Sequence, residues 1–229
     1  MRSLVAILCS AALAAATACP AQSVPPASRN TTTTTLSANP DPATVGEDVA
    51  LIATVRKASG EGSPTGSVTF SVDSLQLKTV NLNPAGIGNF TASANGIHPG
   101  IYPVLATYSG DSDNLPSTST ITTVKVEAAP TRTTLEVAAT KLTPPASDSL
   151  TATVVRSTSG VSGAPTGFVT FLADNFYVLA TIKLDGSGAA TFTASSRGVP
   201  PGTYAIIAKY TTDPYDAPST SSAVNVTVK

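Results

Sequence analysis

The stretch Ile101–Tyr102–Pro103–Val104–Leu105–Ala106–Thr107–Tyr108–Ser109–Gly110–Asp111, running on to Leu115–Pro116–Ser117–Thr118–Ser119, decides the fold because it returns one domain-length later. The second copy is Thr203–Tyr204–Ala205–Ile206–Ile207–Ala208–Lys209–Tyr210–Thr211–Thr212–Asp213, followed by Ala217–Pro218–Ser219–Thr220–Ser221. Each copy reads as an alternating strand, a turn and the opening of another strand. A chain of 229 residues has room for two small domains, so one all-β module used twice is expected.

Around the first copy the same alternation recurs. Val49, Leu51, Ala53 and Val55 point one way while Ala50, Ile52 and Thr54 point the other, and Val68, Phe70 and Val72 alternate with Ser67, Thr69 and Ser71. Strands with a single apolar face pack one side against a core. With a strand at Thr34–Leu36 and four more at Leu75–Leu82, Gly88–Ser93, Ile101–Tyr108 and Thr120–Val126, about seven strands are expected. Turn signals separate them, the pattern of a two-sheet sandwich.

The second module follows with small slips. Thr133–Thr134–Leu135 matches Thr34–Thr35–Leu36, Pro165–Thr166–Gly167 matches Pro64–Thr65–Gly66, and Phe192–Thr193–Ala194–Ser195 matches Phe90–Thr91–Ala92–Ser93. The offset drifts only from 99 (Thr34 to Thr133) to 102 (Tyr102 to Tyr204), so insertions fall in loops. Expected domains are 32–127 and 131–229, joined by a linker at 128–130 that Pro130 stiffens and whose length brings the modules end to end.

Composition narrows the function. The 12% of charged residues, with 18 Pro and 16 Gly, suits turn-rich β structure rather than helices. A net charge of -1 provides no basic patch for nucleic acid. Residues 1–18 carry Arg2 ahead of an apolar run from Leu4 to Ala16, and small residues at Ala16 and Ala18, which reads as a secretory signal. That run is too short to span a membrane, and no transmembrane segment is expected elsewhere. Residues 19–31 are Pro-, Ser- and Thr-rich and read as a flexible tether.

Cys9 lies inside the signal and Cys19 at its edge, so no disulfide is expected in the mature chain. Cys19 after Ala16–Thr17–Ala18 resembles the acylated cysteine of a bacterial lipoprotein, with Ala16 where that motif carries Leu. Two processings fit: lipidation at Cys19, or cleavage before Cys19 or Gln22. No sorting signal or other anchor is expected after the last strand, Val224–Val228.

The ordered set Asn39–Pro40, Ala43–Thr44–Val45–Gly46, Pro64–Thr65–Gly66–Ser67–Val68–Thr69–Phe70, Pro99–Gly100 and Tyr108–Ser109–Gly110–Asp111 resembles the bacterial immunoglobulin-like repeat. The resemblance covers nearly all of Thr31–Lys229. The second module departs at Ala139–Pro145, which lacks the Asn–Pro turn, and at Thr211–Thr212–Asp213, which lacks the Gly. What the resemblance implies is two immunoglobulin-like β-sandwiches serving as an extracellular or cell-surface spacer, adhesive or interaction module without catalysis or cofactor; it carries no site.

The residues themselves agree with a non-catalytic reading. Catalysis calls for a nucleophile with a base, or paired acids in a pocket, and the chain has one His. His98 lies in the turn Gly96–Ile97–His98–Pro99–Gly100, where the second module has Pro200, and reads as a solvent-facing turn residue. Tyr102 and Tyr204, each after Pro–Gly, resemble the tyrosine corner of immunoglobulin folds. Tyr108 and Tyr210 are expected in the core.

Carboxylates follow each Tyr strand: Asp111 and Asp113 in one copy, Asp213 and Asp216 in the other. They read as turn formers; alternatively, Asp213 and Asp216 face Asp41, Glu47 and Asp48 across the junction and share a calcium ion. A difference between copies marks a candidate contact surface. Ser67 and Ser71 on the outward face of the first module become Phe168 and Leu172 in the second, with Phe176 and Tyr177 at the next turn and Ile207 on the adjoining strand. Such a cluster suggests a surface protein, a sugar or a second copy as partner; local twist or the other module is the alternative cover. A carbohydrate-binding module is the second functional reading, weakened by 5% aromatic content and no Trp. An accessory fragment of an exported enzyme system is the third.

Overall fold

A computed structural model of the chain describes residues 29–157, 163–211 and 213–229. The signal at 1–18, Cys19 and most of the tether lie outside the described residues. The first module comprises β1 (Thr32–Asn39), β2 (Ala43–Thr44), β3 (Asp48–Lys57), β4 (Ser67–Val72), β5 (Leu75–Asn81), β6 (Ile87–Ser93), β7 (Gly100–Tyr108), β8 (Ser117–Thr118) and β9 (Thr122–Glu127). The second repeats them as β10 (Thr131–Val137), β11 (Lys141–Leu142), β12 (Ser147–Arg156), β13 (Phe168–Ala173), β14 (Tyr177–Lys183), β15 (Ala189–Ser195), β16 (Gly202–Thr211), β17 (Ser219–Thr220) and β18 (Val224–Val228).

Each module is a sandwich of two sheets. In the first, β1-β3-β6 form one sheet and β2-β9-β7-β4-β5 the other, with β8 hydrogen-bonded to β7. The second module has the same order: β10-β12-β15 against β11-β18-β16-β13-β14, with β17 on β16. The seven long strands are those that the alternation marks. The two extra strands per module have two residues each, too short to show a period.

The turn Asn39–Pro40–Asp41–Pro42 carries the chain between sheets: β1 pairs antiparallel with β3, whereas β2 pairs parallel with β9. Proline lacks an N–H and cannot continue the β1 ladder. Glycine is required where each module's β5–β6 or β14–β15 turn closes on the neighbouring strand. A Cβ at Gly86 (φ +75°) would stand 2.7 Å from the Val55 carbonyl oxygen, and one at Gly188 (φ +82°) 2.6 Å from that of Val154.

The cores are where period two places them. Val49, Leu51, Ala53 and Val55 of β3 and Val68 and Phe70 of β4 are buried, as are Leu150, Ala152, Val154, Val169 and Phe171 in the second copy. Each fully buried Val, Leu or Phe contributes roughly 1.5–3 kcal/mol. Tyr108 and Tyr210 are completely buried within them.

The tether ends earlier than its composition suggests. Arg29 donates through Nη2 to the Asp111 and Asn114 carbonyls, at 2.7 and 2.8 Å, and the Asn30 N–H donates to the Asp113 carbonyl at 2.7 Å. Those partners lie more than 80 residues away, out of reach of a local reading. Among the described residues no helix is long and apolar enough to cross a membrane.

Candidate functional site

The junction between modules has little slack. Within the short linker, Ala129 is fully buried and bridges to Asp216. Its N–H donates to the Tyr215 carbonyl and its own carbonyl accepts from Ala217 N–H, both at 2.8 Å. Around it Val45, Ala94 and Val126 of the first module form an apolar cluster, with Tyr102 and Tyr215 packed on it.

His98 is exposed, as a turn residue should be, yet its ring stacks on Tyr215 at 4.8 Å between centroids and 19° between planes. The Asp213–Asp216 loop thus meets the first module through Tyr215. Sequence reasoning passed over this residue, whose counterpart in the first copy is Asp113. Comparing the copies for polar-to-aromatic exchanges near the linker would have found it. The corner tyrosines brace the turns on either side of the repeat: Tyr102 Oη donates to the His98 carbonyl at 2.7 Å and Tyr204 Oη to the Pro200 carbonyl at 2.9 Å.

The carboxylates considered for calcium are engaged separately. Asp41 accepts from Lys125 N–H and Glu47 from Thr44 N–H, while Asp48 is exposed at the start of β3. Asp213 accepts from the Thr166 hydroxyl and from Tyr215 N–H. Asp216 is buried in a two-pronged ion pair with Arg156. Among the described residues no three His, Cys, Asp or Glu side chains gather into a group able to hold a metal.

These loops tune local charge. Burial pushes the Asp111 carboxyl up, but donors from Thr65 N–H, Asn114 Nδ2, the Thr65 hydroxyl and Asp113 N–H together hold it well below the ordinary value. Asp213 is lowered in the same manner, burial again opposing and Thr166 and Tyr215 prevailing. Burial first, then the nearby Asp111 carboxylate, raise Tyr108 to about 12.

The candidate contact surface is divided rather than continuous. Leu172 and Ile207 are cross-strand partners on the outward face, half-buried, and Phe168 lies on that face opposite Thr211. Thr170, bonded to the Thr181 hydroxyl at 3.1 Å, and exposed Lys209 separate them. Four residues of strand put Phe168 about 13 Å from Leu172.

Tyr177 does not join this face. It pairs with inward-facing Ala173, because a bulge between Phe171 and Leu172 shifts the register and places Val178 opposite Leu172. Exposed Val178 takes the outward place beside Leu172 and Ile207. Phe176 stands at the hairpin tip, in contact with Tyr177 at 4.0 Å between ring centroids.

Two like sandwiches, each with a tyrosine corner and with their ends locked together, define a tandem immunoglobulin-like β-sandwich protein. Residues 27–127 and 134–229 match the model of the bacterial Ig-like domain, group 3, and the chain belongs to that family. No curated protein matches it. Among solved structures it is similar to the fibronectin(III)-like modules of Clostridium thermocellum CbhA, at 18% identity and TM-score 0.33, covering 85% of this chain and 92% of that one. It is also similar to the Yersinia pseudotuberculosis adhesin InvE, at 19% identity and TM-score 0.44, covering 86% and 58%. Murine CEACAM1b resembles it at 13% identity and TM-score 0.34, covering 86% and 100%.

Proposed function

We propose that the chain is a non-catalytic extracellular spacer that holds a contact surface at a fixed distance from the cell envelope. The observation that carries this reading is the junction: a buried Ala129, two backbone hydrogen bonds, an apolar cluster and the His98–Tyr215 stack resist swinging. A spacer needs such resistance, whereas independent binding domains on a flexible strand do not. The secretory reading of residues 1–18 supplies the route, and a lipid on Cys19 the attachment.

The contact surface in this reading is the outward apolar strip of Leu172, Val178 and Ile207, with Phe168 standing apart beyond Thr170 and Lys209, and its partner is a protein of the cell surface. The exposed ring pair Phe176–Tyr177 favours a second reading, in which a sugar stacks on the hairpin tip.

The experiment is expression with an epitope tag after Lys229, fractionation of cells and medium, and binding of the purified chain to intact cells. Export and saturable binding that falls at least about tenfold in a Phe168→Ser/Leu172→Ser variant support the reading. Retention in the cytoplasm, or binding unchanged by that variant, refutes it. Loss of binding in Phe176→Ser, competed by envelope polysaccharide, selects the sugar.

A further inference from the structure

At the end of the second module remote from the first, the two sheets part around a half-open cavity of about 460 Å³. Its wall is apolar, built from Leu150, Ala173, Leu179, Ile206 and Val226, with Tyr177 at the rim. That volume lies within the range of small-molecule sites.

One group in the wall is out of keeping with the rest. Asp148, near the start of β12, lines the cavity while only 4% exposed. Its Oδ1 accepts the Ala139 N–H at 2.9 Å, but its Oδ2 is buried with no hydrogen-bond partner among the described residues. A carboxylate oxygen in apolar surroundings is costly unless a donor or cation meets it. Other polar groups of the wall have partners: Ser196 donates its hydroxyl to the Ala146 carbonyl at 2.8 Å, Ser195 Oγ accepts the Arg197 N–H at 3.3 Å, and Tyr204 Oη donates to the Pro200 carbonyl at 2.9 Å.

The first module supplies an internal control. The same end of that sandwich has a cavity of about 210 Å³, with Val49 at the position of Asp148 and Val72 at that of Ala173. The fold therefore forms without the carboxylate, and the second copy differs by both a larger space and one open acceptor.

From this pairing we infer that the second module binds a small amphipathic amine, its apolar body between the sheets and its ammonium on Asp148 Oδ2. An apolar wall suits the hydrocarbon body of a ligand, and a lone buried carboxylate selects a cationic head over a neutral donor. The site is separate from the outward strip and does not depend on the spacer reading.

The test is a methyl and amide NMR titration of the two-module chain with 2-phenylethylammonium and, in parallel, neutral 2-phenylethanol. Saturable shifts are expected at Leu150, Ile206 and Val226, not at Leu51, Val104 or Val124, with the amine bound at least about tenfold more tightly than the alcohol. Asp148→Asn, which keeps an acceptor for Ala139, should abolish the preference for the amine. Asp148→Val, the first module's residue, gives the same reading if the asparagine variant does not fold. Ala173→Val should weaken both ligands by filling the space. No saturable shift, equal affinity for amine and alcohol in the unaltered chain, or a preference that survives loss of the carboxylate would each overturn the inference.

Discussion

Arg156 and Asp216 lock the second module's entry loop with a buried ion pair where the first module carries Lys57 and Asn114. Nε meets Oδ1 at 2.6 Å and Nη2 meets Oδ2 at 2.7 Å, with the aspartate side chain fully buried and the arginine nearly so. Lys57 and Asn114 hold the corresponding positions in the first copy, and there Asn114 Nδ2 donates to Asp111. Removing one member of a buried pair strands the other, at a cost of about 3–5 kcal/mol. Asp216→Ala should therefore lower the stability of the second module by that amount and leave the first unchanged, as read from module-resolved NMR signals through a urea titration.

Two tyrosines in the second module should respond oppositely to loss of the hydroxyl. Tyr204→Phe deletes the bond to Pro200 and should cost about 1 kcal/mol. Tyr210 is buried with no partner for its Oη among the described residues, and burial raises its pKa. Tyr210→Phe should be neutral or stabilising. Urea midpoints of the two variants compare them directly.

Acid should weaken the first module through Asp111. Its folded carboxyl titrates below the unfolded one, whose value is about 3.9. The stabilisation is thus complete above that value and is lost as pH falls through the folded one. Urea midpoints of the first module should decline on acidification below about pH 4, and Asp111→Asn should flatten that part of the profile. An unchanged slope in the variant would remove Asp111 as the source.

Tyr215→Ala should loosen the junction without unfolding either module, since half-buried Tyr215 contributes one ring contact and part of an apolar cluster. In the unaltered chain the two modules should show a common rotational correlation time in 15N relaxation. The variant should show faster, separate tumbling. His98→Ala should do the same to a smaller degree, because the His98 carbonyl that anchors Tyr102 remains.

Much of this fold is legible in the sequence for a physical reason: a strand with one buried face must alternate, and the second copy repeats the pattern. Val49 to Val55, the corner at Tyr102 and the buried Tyr108 all follow from local spacing. The contacts that give the molecule its individuality are long-range. Tyr215 finds His98 in the other module, Arg29 reaches Asp111 across the whole first module, and Asp148 reads locally as one more polar residue between two serines. The bulge that takes Tyr177 off the outward face is likewise set by cross-strand pairing, which alternation along one strand does not record.

The parallel pairs β2–β9 and β11–β18 have a mechanical consequence. In each module the earlier strand belongs to the incoming chain and its partner to the outgoing chain, joined by Ala43↔Val126 and Thr44↔Glu127 in one copy and by Lys141↔Thr227 and Leu142↔Val228 in the other. Tension applied at the two ends of a module drags these parallel strands past each other along their length. Their hydrogen bonds then bear the load together in shear instead of opening one after another, so each module resists a pull along the chain more strongly than a peel from one edge.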